Sequence, residues 1–264
     1  MSETGTISTE NFKKDIYSEY PAEVKTRTKK MVIYLFIFAV VMLFAGLTSG
    51  YIVKMGGEYW VHINPPMNFY WSLMFLALSS IATFFSVRAM KKDNKKGTMM
   101  ALILTFVFGI GFTVTQLNGW DELTAKGMGF TIMTTEQGLS KYQWNHVDEI
   151  TGEYGVDYFI HKDGEELVLN NGEFYLAEDT NFSKAVTNKV KRGSNNASAF
   201  LVILVILHLI HLSFGLLYIL ANLFRVKKGI INSNNLVSLQ VNGIYWHFMG
   251  ILWVYLFVFL FIFH

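Results

Sequence analysis

The stretch Val241–Phe263 reads VNGIYWHFMGILWVYLFVFLFIF, and an earlier run, Ala197–Phe224, reads ASAFLVILVILHLIHLSFGLLYILANLF. Each is long enough to cross a bilayer, which takes about 20 apolar residues. The earlier run carries His208 and His211, and the later one carries His247. Histidine is costly inside a membrane span and faces protein rather than lipid. Both helices are therefore expected to pack on other helices, with the rest of the chain supporting that packing.

Of 264 residues, 52% are hydrophobic and 16% charged, and the charges fall in blocks between apolar runs. That pattern is the signature of an integral membrane protein. A formal net charge of +2 gives no reason to expect a nucleic-acid partner. The chain has no cysteine, which excludes disulfides, thiolate catalysis, and Cys-ligated zinc or iron–sulfur clusters. Met1–Lys30 is polar and lacks an apolar h-region. It reads as a cytoplasmic tail rather than a secretory signal peptide.

Working back from the two C-terminal runs, residues 31–118 hold three more spans: Met31–Val53, Phe69–Met90 and Thr98–Leu117. Gly46 and Gly50 are four apart in the first. Two readings are open there: a small-residue seam for another helix, or the general frequency of glycine in membrane helices. The loop Lys54–Asn68 carries Trp60, Pro65 and Pro66, and Tyr70 and Trp71 follow it, which fits an interfacial aromatic belt. Residues 119–196 break the pattern, being polar and too long for a simple connection. Within them Asp163-Gly164 and Asn171-Gly172 separate short apolar runs, a hairpin signal. A small β-rich module of two hairpins is expected; the competing reading is a partly disordered loop.

Basic residues cluster before the first span, between the second and third (Arg88, Lys91, Lys92, Lys95, Lys96) and after the fourth (Arg225, Lys227, Lys228). The positive-inside rule then predicts a cytoplasmic N-terminus, with the insertion and the C-terminus outside. The expected fold is an all-α integral membrane protein. It has five transmembrane helices and a small β-rich extracytoplasmic insertion between helices 3 and 4, residues 197–264 supplying helices 4 and 5. No internal repeat is evident.

His208 and His211, at i and i+3, share a helix face near mid-membrane. Haem ligation would need one histidine from each of two helices at similar depth, whereas His247 lies nearer the inner face. The alternative is hydrogen bonding between helices. No carboxylate lies inside a span to complete a metal site or to serve proton-driven transport. No phosphate-binding loop or nucleophile elbow is present, and His146 and His161 in the insertion have no metal-site spacing. The residues alone therefore give no catalytic group and no metal. His208, His211 and Gln116 read as structural buried polar groups.

Several motifs resemble subunit III of the haem–copper oxidases. Tyr245-Trp246-His247-Phe248 with Trp253 is similar to that family's C-terminal YWHFVDxxW signature. Phe200 onward, through His208, His211 and Gly215, with Arg225 following, resembles the HGLHVxxG helix and its trailing arginine. Leu35–Leu47 resembles LFIASEVMFFAGL, Leu76–Ser80 resembles LLLSS with Pro66 upstream, and Phe112 to Gln116 with Trp120 resembles FxxxQxxEW. The motifs run in family order across all five spans. The seven-helix form has two further N-terminal helices, and the chain resembles the five-helix bacterial form.

The resemblance implies a non-catalytic core subunit of an aa3-type cytochrome c oxidase in a bacterial inner membrane, supporting stable turnover. Haem and copper would be held by partner subunits I and II, with this chain packing on subunit I and holding phospholipid in a cleft. Carried over by residue, Arg225 would meet a lipid phosphate, His247 and Trp246 would line the cleft, and Phe36 would touch lipid chains. For Arg225 a plain positive-inside anchor is an equal reading. A quinol oxidase subunit III and a small di-histidine membrane cytochrome are the alternatives. Residues 119–196 are expected to contact a donor cytochrome c domain or a partner respiratory complex. The family's carboxylates are replaced by Val40, Gly119, Gln240 and Gly250, so the group tied to proton-related effects is absent.

Overall fold

The computed structural model describes residues 21–56, 59–128, 130–134, 140–144, 147, 150–193 and 195–262. Residues 1–20 of the expected tail, and His146, lie outside the described residues. Five helices are long and apolar enough to cross a membrane: α1 (Ala22–Met55), α2 (Met67–Lys91), α3 (Lys95–Ala125), α5 (Asn196–Lys227) and α6 (Val237–Phe261), with a short α4 (Thr187–Lys191) before α5. Hydrocarbon offers no hydrogen bonds, so a helix is the form in which one apolar segment satisfies its own backbone.

Two helices are longer than their apolar runs. α1 starts directly after Pro21, so residues 22–30 continue the membrane helix instead of standing apart as tail. Nothing from Ala22 to Lys30 breaks a helix, and proline suits a helix start. α3 runs on to Ala125, inside the expected insertion, until Gly127 at φ 75° turns the chain. α2 and α3 form an antiparallel pair. Asn94 caps α3 by accepting from the Gly97 N–H at 2.9 Å. Buried hydroxyls join the pair: Thr83 Oγ1 donates to Thr105 Oγ1 at 3.3 Å, and Gln116 Nε2 to Ser72 Oγ at 2.6 Å. α6 is the most buried of the five and α1 the least.

Both expected hairpins form. Asp163 (φ 54°) and Gly164 (φ 90°) join β4 (Tyr158–Lys162) to β5 (Glu165–Glu166). Asn171 (φ 52°) and Gly172 (φ 81°) join β6 (Val168–Asn170) to β7 (Glu173–Tyr175). Left-handed φ at both central residues is the type I′ geometry that Asx-Gly favours. A third antiparallel pair, β2 (Phe130–Thr134) with β3 (Ser140–Trp144), lacks that turn signal.

The loop after α1 is not a plain connection. Tyr59–Ile63 is a strand, β1, paired antiparallel with β4 from Tyr59↔Lys162 to Ile63↔Tyr158. Trp60 is 3% exposed and donates from Nε1 to Tyr51 Oη at 3.2 Å, so it belongs to the sheet's core rather than to an interfacial belt. Lys126 at the end of α3 reaches Glu122 at 3.1 Å and Asp157 at 2.9 Å, and Asn64 Nδ2 donates to the Val156 carbonyl at 2.6 Å. The insertion is thereby tied to the ends of two membrane helices.

Candidate functional site

Trp246 is the meeting point of four helices. Its side chain is 1% exposed, and its Nε1 donates to Ser79 Oγ of α2 at 2.6 Å. Two glycines make room for the indole. A methyl at Gly109 of α3 would lie 3.0 Å from Trp246 and 2.7 Å from Leu216; one at Gly215 of α5 would lie 3.1 Å from Trp246 and from Tyr245. Tyr245 Oη also donates to the His211 carbonyl of α5 at 2.7 Å. The small-residue spacing noticed in α1 does less: Gly46 has no side-chain neighbour within 4 Å, and Gly50 meets Phe200 at 3.6 Å.

The three membrane histidines address different neighbours. His208 is fully buried against the rings of Phe112 (6.0 Å between centroids) and Trp253 (5.2 Å). His211 shares a hydrogen bond between Nδ1 and the Leu207 carbonyl at 2.6 Å and packs against Phe36 and Phe44 of α1. His247 is hydrogen-bonded through Nδ1 to Ser80 Oγ of α2 at 2.5 Å. The shared face expected for His208 and His211 divides between two sets of contacts, because positions three apart on a crowded helix still fall against different helices. Among the described residues no three His, Asp or Glu side chains are placed to hold a metal ion.

At the other end of α5 and α6, α1 stands apart and leaves a cleft of about 750 Å³. Its walls are Val32, Ile33 and Phe36 of α1, with Ile230, Ile231 and Val241 opposite. Lys29 and Arg225 also line it, and no Asp or Glu is among its described lining residues. Neither cation has a carboxylate partner among the described residues. Ser238 organises the polar side. It donates to Asn222 Oδ1 at 2.6 Å, accepts from Arg225 Nη1 at 3.2 Å, and shares a bond with Tyr218 Oη at 3.0 Å. Two cations above an apolar wall suit an anionic headgroup with an acyl chain beneath it.

Of the four residues expected at a lipid cleft, the structure brings together Phe36 and Arg225. Trp246 is enclosed in the four-helix seam, and His247 lines a separate groove between α2 and α6. Lys29, Tyr218 and Ser238 were not singled out from sequence. Lys29 sits in a basic run that reads as an orientation signal, and the other two have no distinguishing pattern. Gln116 is buried and bonded to Ser72, and among the positions where the family carries carboxylates Val40 is buried in the apolar core. At Gly119 the Phe69 ring occupies the space a side chain would need.

This chain is 28% identical over 184 residues to a cytochrome c oxidase subunit 3 from Alkalihalophilus pseudofirmus, covering 70% of the chain and 60% of that relative. The chain is thus similar to subunit III proteins of respiratory oxidases. A cytochrome c oxidase subunit 3 from Bacillus sp. PS3 is 43% identical over 61 residues, 23% of the chain and 29% of the relative. A cytochrome bo(3) ubiquinol oxidase subunit 3 from Buchnera aphidicola is 30% identical over 90 residues, 34% of the chain and 43% of the relative. The chain thus spans 60% of the first of these subunit III proteins and less of the other two. No family model matches it. Five apolar helices and subunit III relatives make it a multi-pass membrane protein.

Outside the membrane, the charges around Lys126 reinforce one another. The Asp157 carboxyl is held below its ordinary range, first by the Glu153 backbone N–H and then by Lys126. The Lys126 amine is raised by its bonds to Asp157 and Glu122. His62 of β1 is lowered, mainly by burial and then by His161, whose ring centroid is 5.9 Å away.

Proposed function

We propose that this chain is the non-catalytic subunit III of an aa3-type cytochrome c oxidase in a bacterial inner membrane. It packs on subunit I beside subunit II, which between them carry the haem and copper, and it contributes no redox centre of its own. The assembled complex reduces oxygen and moves protons. The similarity to a cytochrome c oxidase subunit 3 over 70% of the chain carries this reading. The basic loops put the N-terminus in the cytoplasm, with the insertion and C-terminus outside. A phospholipid occupies the inner cleft, its phosphate between Lys29 and Arg225 and its chain along Phe36. The outer module, tied to α1 and α3 by β1 and Lys126, is the surface that meets a donor cytochrome c domain or a partner respiratory complex. Similarity to a bo(3) ubiquinol oxidase subunit 3 favours a second reading, a quinol oxidase subunit of the same shape.

The test is purification in mild detergent through a tag on this chain, with an optical spectrum and identification of the accompanying subunits. Co-purifying haem a and a copper-bearing subunit II support the first reading. Oxidase subunits without a copper site in subunit II support the second. A haem b spectrum that stays with this chain alone overturns both. For the outer module, removing residues 127–192 should leave oxidase assembly intact and reduce association with the donor or partner complex. Unchanged association removes that role.

A further inference from the structure

A second cavity, of about 740 Å³, lies between α2 and α6. Leu73, Leu76, Ala77 and Ser80 form one wall; the other runs along α6 from His247 through Gly250, Val254 and Phe257 to Ile262. The groove exists because small side chains line the seam, with Ala77, Ser80 and Gly250 leaving the space open. Among the described residues no Asp, Glu, Lys or Arg lines it. Its polar spot is the bonded pair of Ser80 and His247 at one end.

We propose that this groove binds a prenylated quinone or quinol, with His247 Nε2 as the hydrogen-bonding partner of a ring oxygen. Nδ1 is engaged by Ser80, while Nε2 has no partner among the described residues and is not shut off from the groove. If Ser80 donates to Nδ1, Nε2 carries the proton and can donate to a quinone carbonyl; with the tautomer reversed, Nε2 can accept from a quinol hydroxyl. One site can therefore hold either redox form, by exchange of tautomer within a single hydrogen-bonded pair.

Depth selects the class of ligand. From Val241, where the apolar run begins, to His247 the helix rises about 9 Å, about a third of a hydrocarbon core of about 30 Å. A phosphate at that depth would be a buried charge without a cation, which is strongly unfavourable. A neutral ring oxygen has no such penalty. From His247 to Ile262 the apolar wall continues for about 22 Å, room for an extended hydrocarbon tail. The cleft near Arg225 is the opposite case, with Lys29 and Arg225 among its lining residues. The proposal concerns binding, and it is independent of which donor the assembled oxidase uses.

The tagged complex, reconstituted in phospholipid nanodiscs, would be labelled with a photoreactive prenylquinone and, in parallel, with a photoreactive phosphatidylcholine. Quinone label is expected on α2 and α6, competed by unlabelled quinone and not by phospholipid. His247→Leu should lower labelling about 3- to 10-fold, the worth of one neutral hydrogen bond. Gly250→Leu should abolish it by filling the groove. Ala77→Leu fills it from the opposite wall, where the side chain is exposed, and serves should Gly250→Leu disturb packing. Co-purification of the oxidase subunits, followed in each variant, separates loss of the site from loss of the complex. Quinone label unaffected by the groove-filling variants, or groove labelling by phosphatidylcholine that quinone does not displace, would overturn the proposal.

Discussion

α5 and α6 meet their neighbours in two opposite ways. Around Trp246 they close on α2 and α3 with glycines at Gly109 and Gly215 and a satisfied indole N–H. At the end near Arg225 they leave a cleft against α1, bounded by Phe36, Lys29 and Arg225. What differs is side-chain volume at the contact, and whether a polar group finds its partner within the protein. Between membrane helices there is no hydrophobic gain from lipid exposure to protein exposure, so packing and hydrogen bonds decide where a seam closes.

The largest expected effect lies in the closed seam. Trp246→Ala removes a buried indole and leaves Ser79 without its donor. It should cost about 3–5 kcal/mol, read by detergent-denaturant unfolding of the purified complex. A loss under about 1 kcal/mol would mean the indole does not set the seam. Next comes a pair of identical changes in unlike places. Gly109→Ala forces a methyl against Leu216 and Trp246 and should destabilise by about 1–3 kcal/mol. Gly46→Ala meets no side chain and should be neutral or stabilising by up to about 1 kcal/mol through helix propensity. If the two variants behave alike, the distinction between closed and open faces fails.

A smaller effect is expected at the junction with the β-rich insertion. Because the folded state lowers the Asp157 carboxyl, its contribution is present above the unfolded carboxylate value near 3.9. It is lost as the pH falls through the lower folded value. Asp157→Asn should weaken protection of the β4 amides near neutral pH by about 0.5–1 kcal/mol, with that difference vanishing in strong acid, as followed by hydrogen exchange. Least of all should stability respond to Arg225→Gln, within about 0.5 kcal/mol. Phospholipid retained by the complex, counted by native mass spectrometry, should nevertheless fall. Unchanged retention would reduce Arg225 to an orientation charge.

Much of this architecture was legible in the residues. The five spans follow from apolar length, and both Asx-Gly turns announce their hairpins. What was not legible involves partners far apart in the chain. Tyr59–Ile63 has no turn signal of its own, and it becomes a strand because β4, from Tyr158 to Lys162, lies beside it. Nothing marks Gly109 among the chain's glycines until Trp246 is seen against it. Phe36 and Arg225 were grouped by family resemblance; their lining of one cleft, and the separation of His247 and Trp246 from it, depends on how α1 is placed.

Local pattern along the chain is enough for the number of membrane helices, the β-rich insertion and its two Asx-Gly turns, since hydrocarbon thickness and Asx-Gly backbone preferences act on neighbouring residues. Which helix faces close and which stay open is settled by packing. Those outcomes depend on the fit of side chains brought together from distant parts of the chain, and a one-dimensional pattern holds no record of that fit.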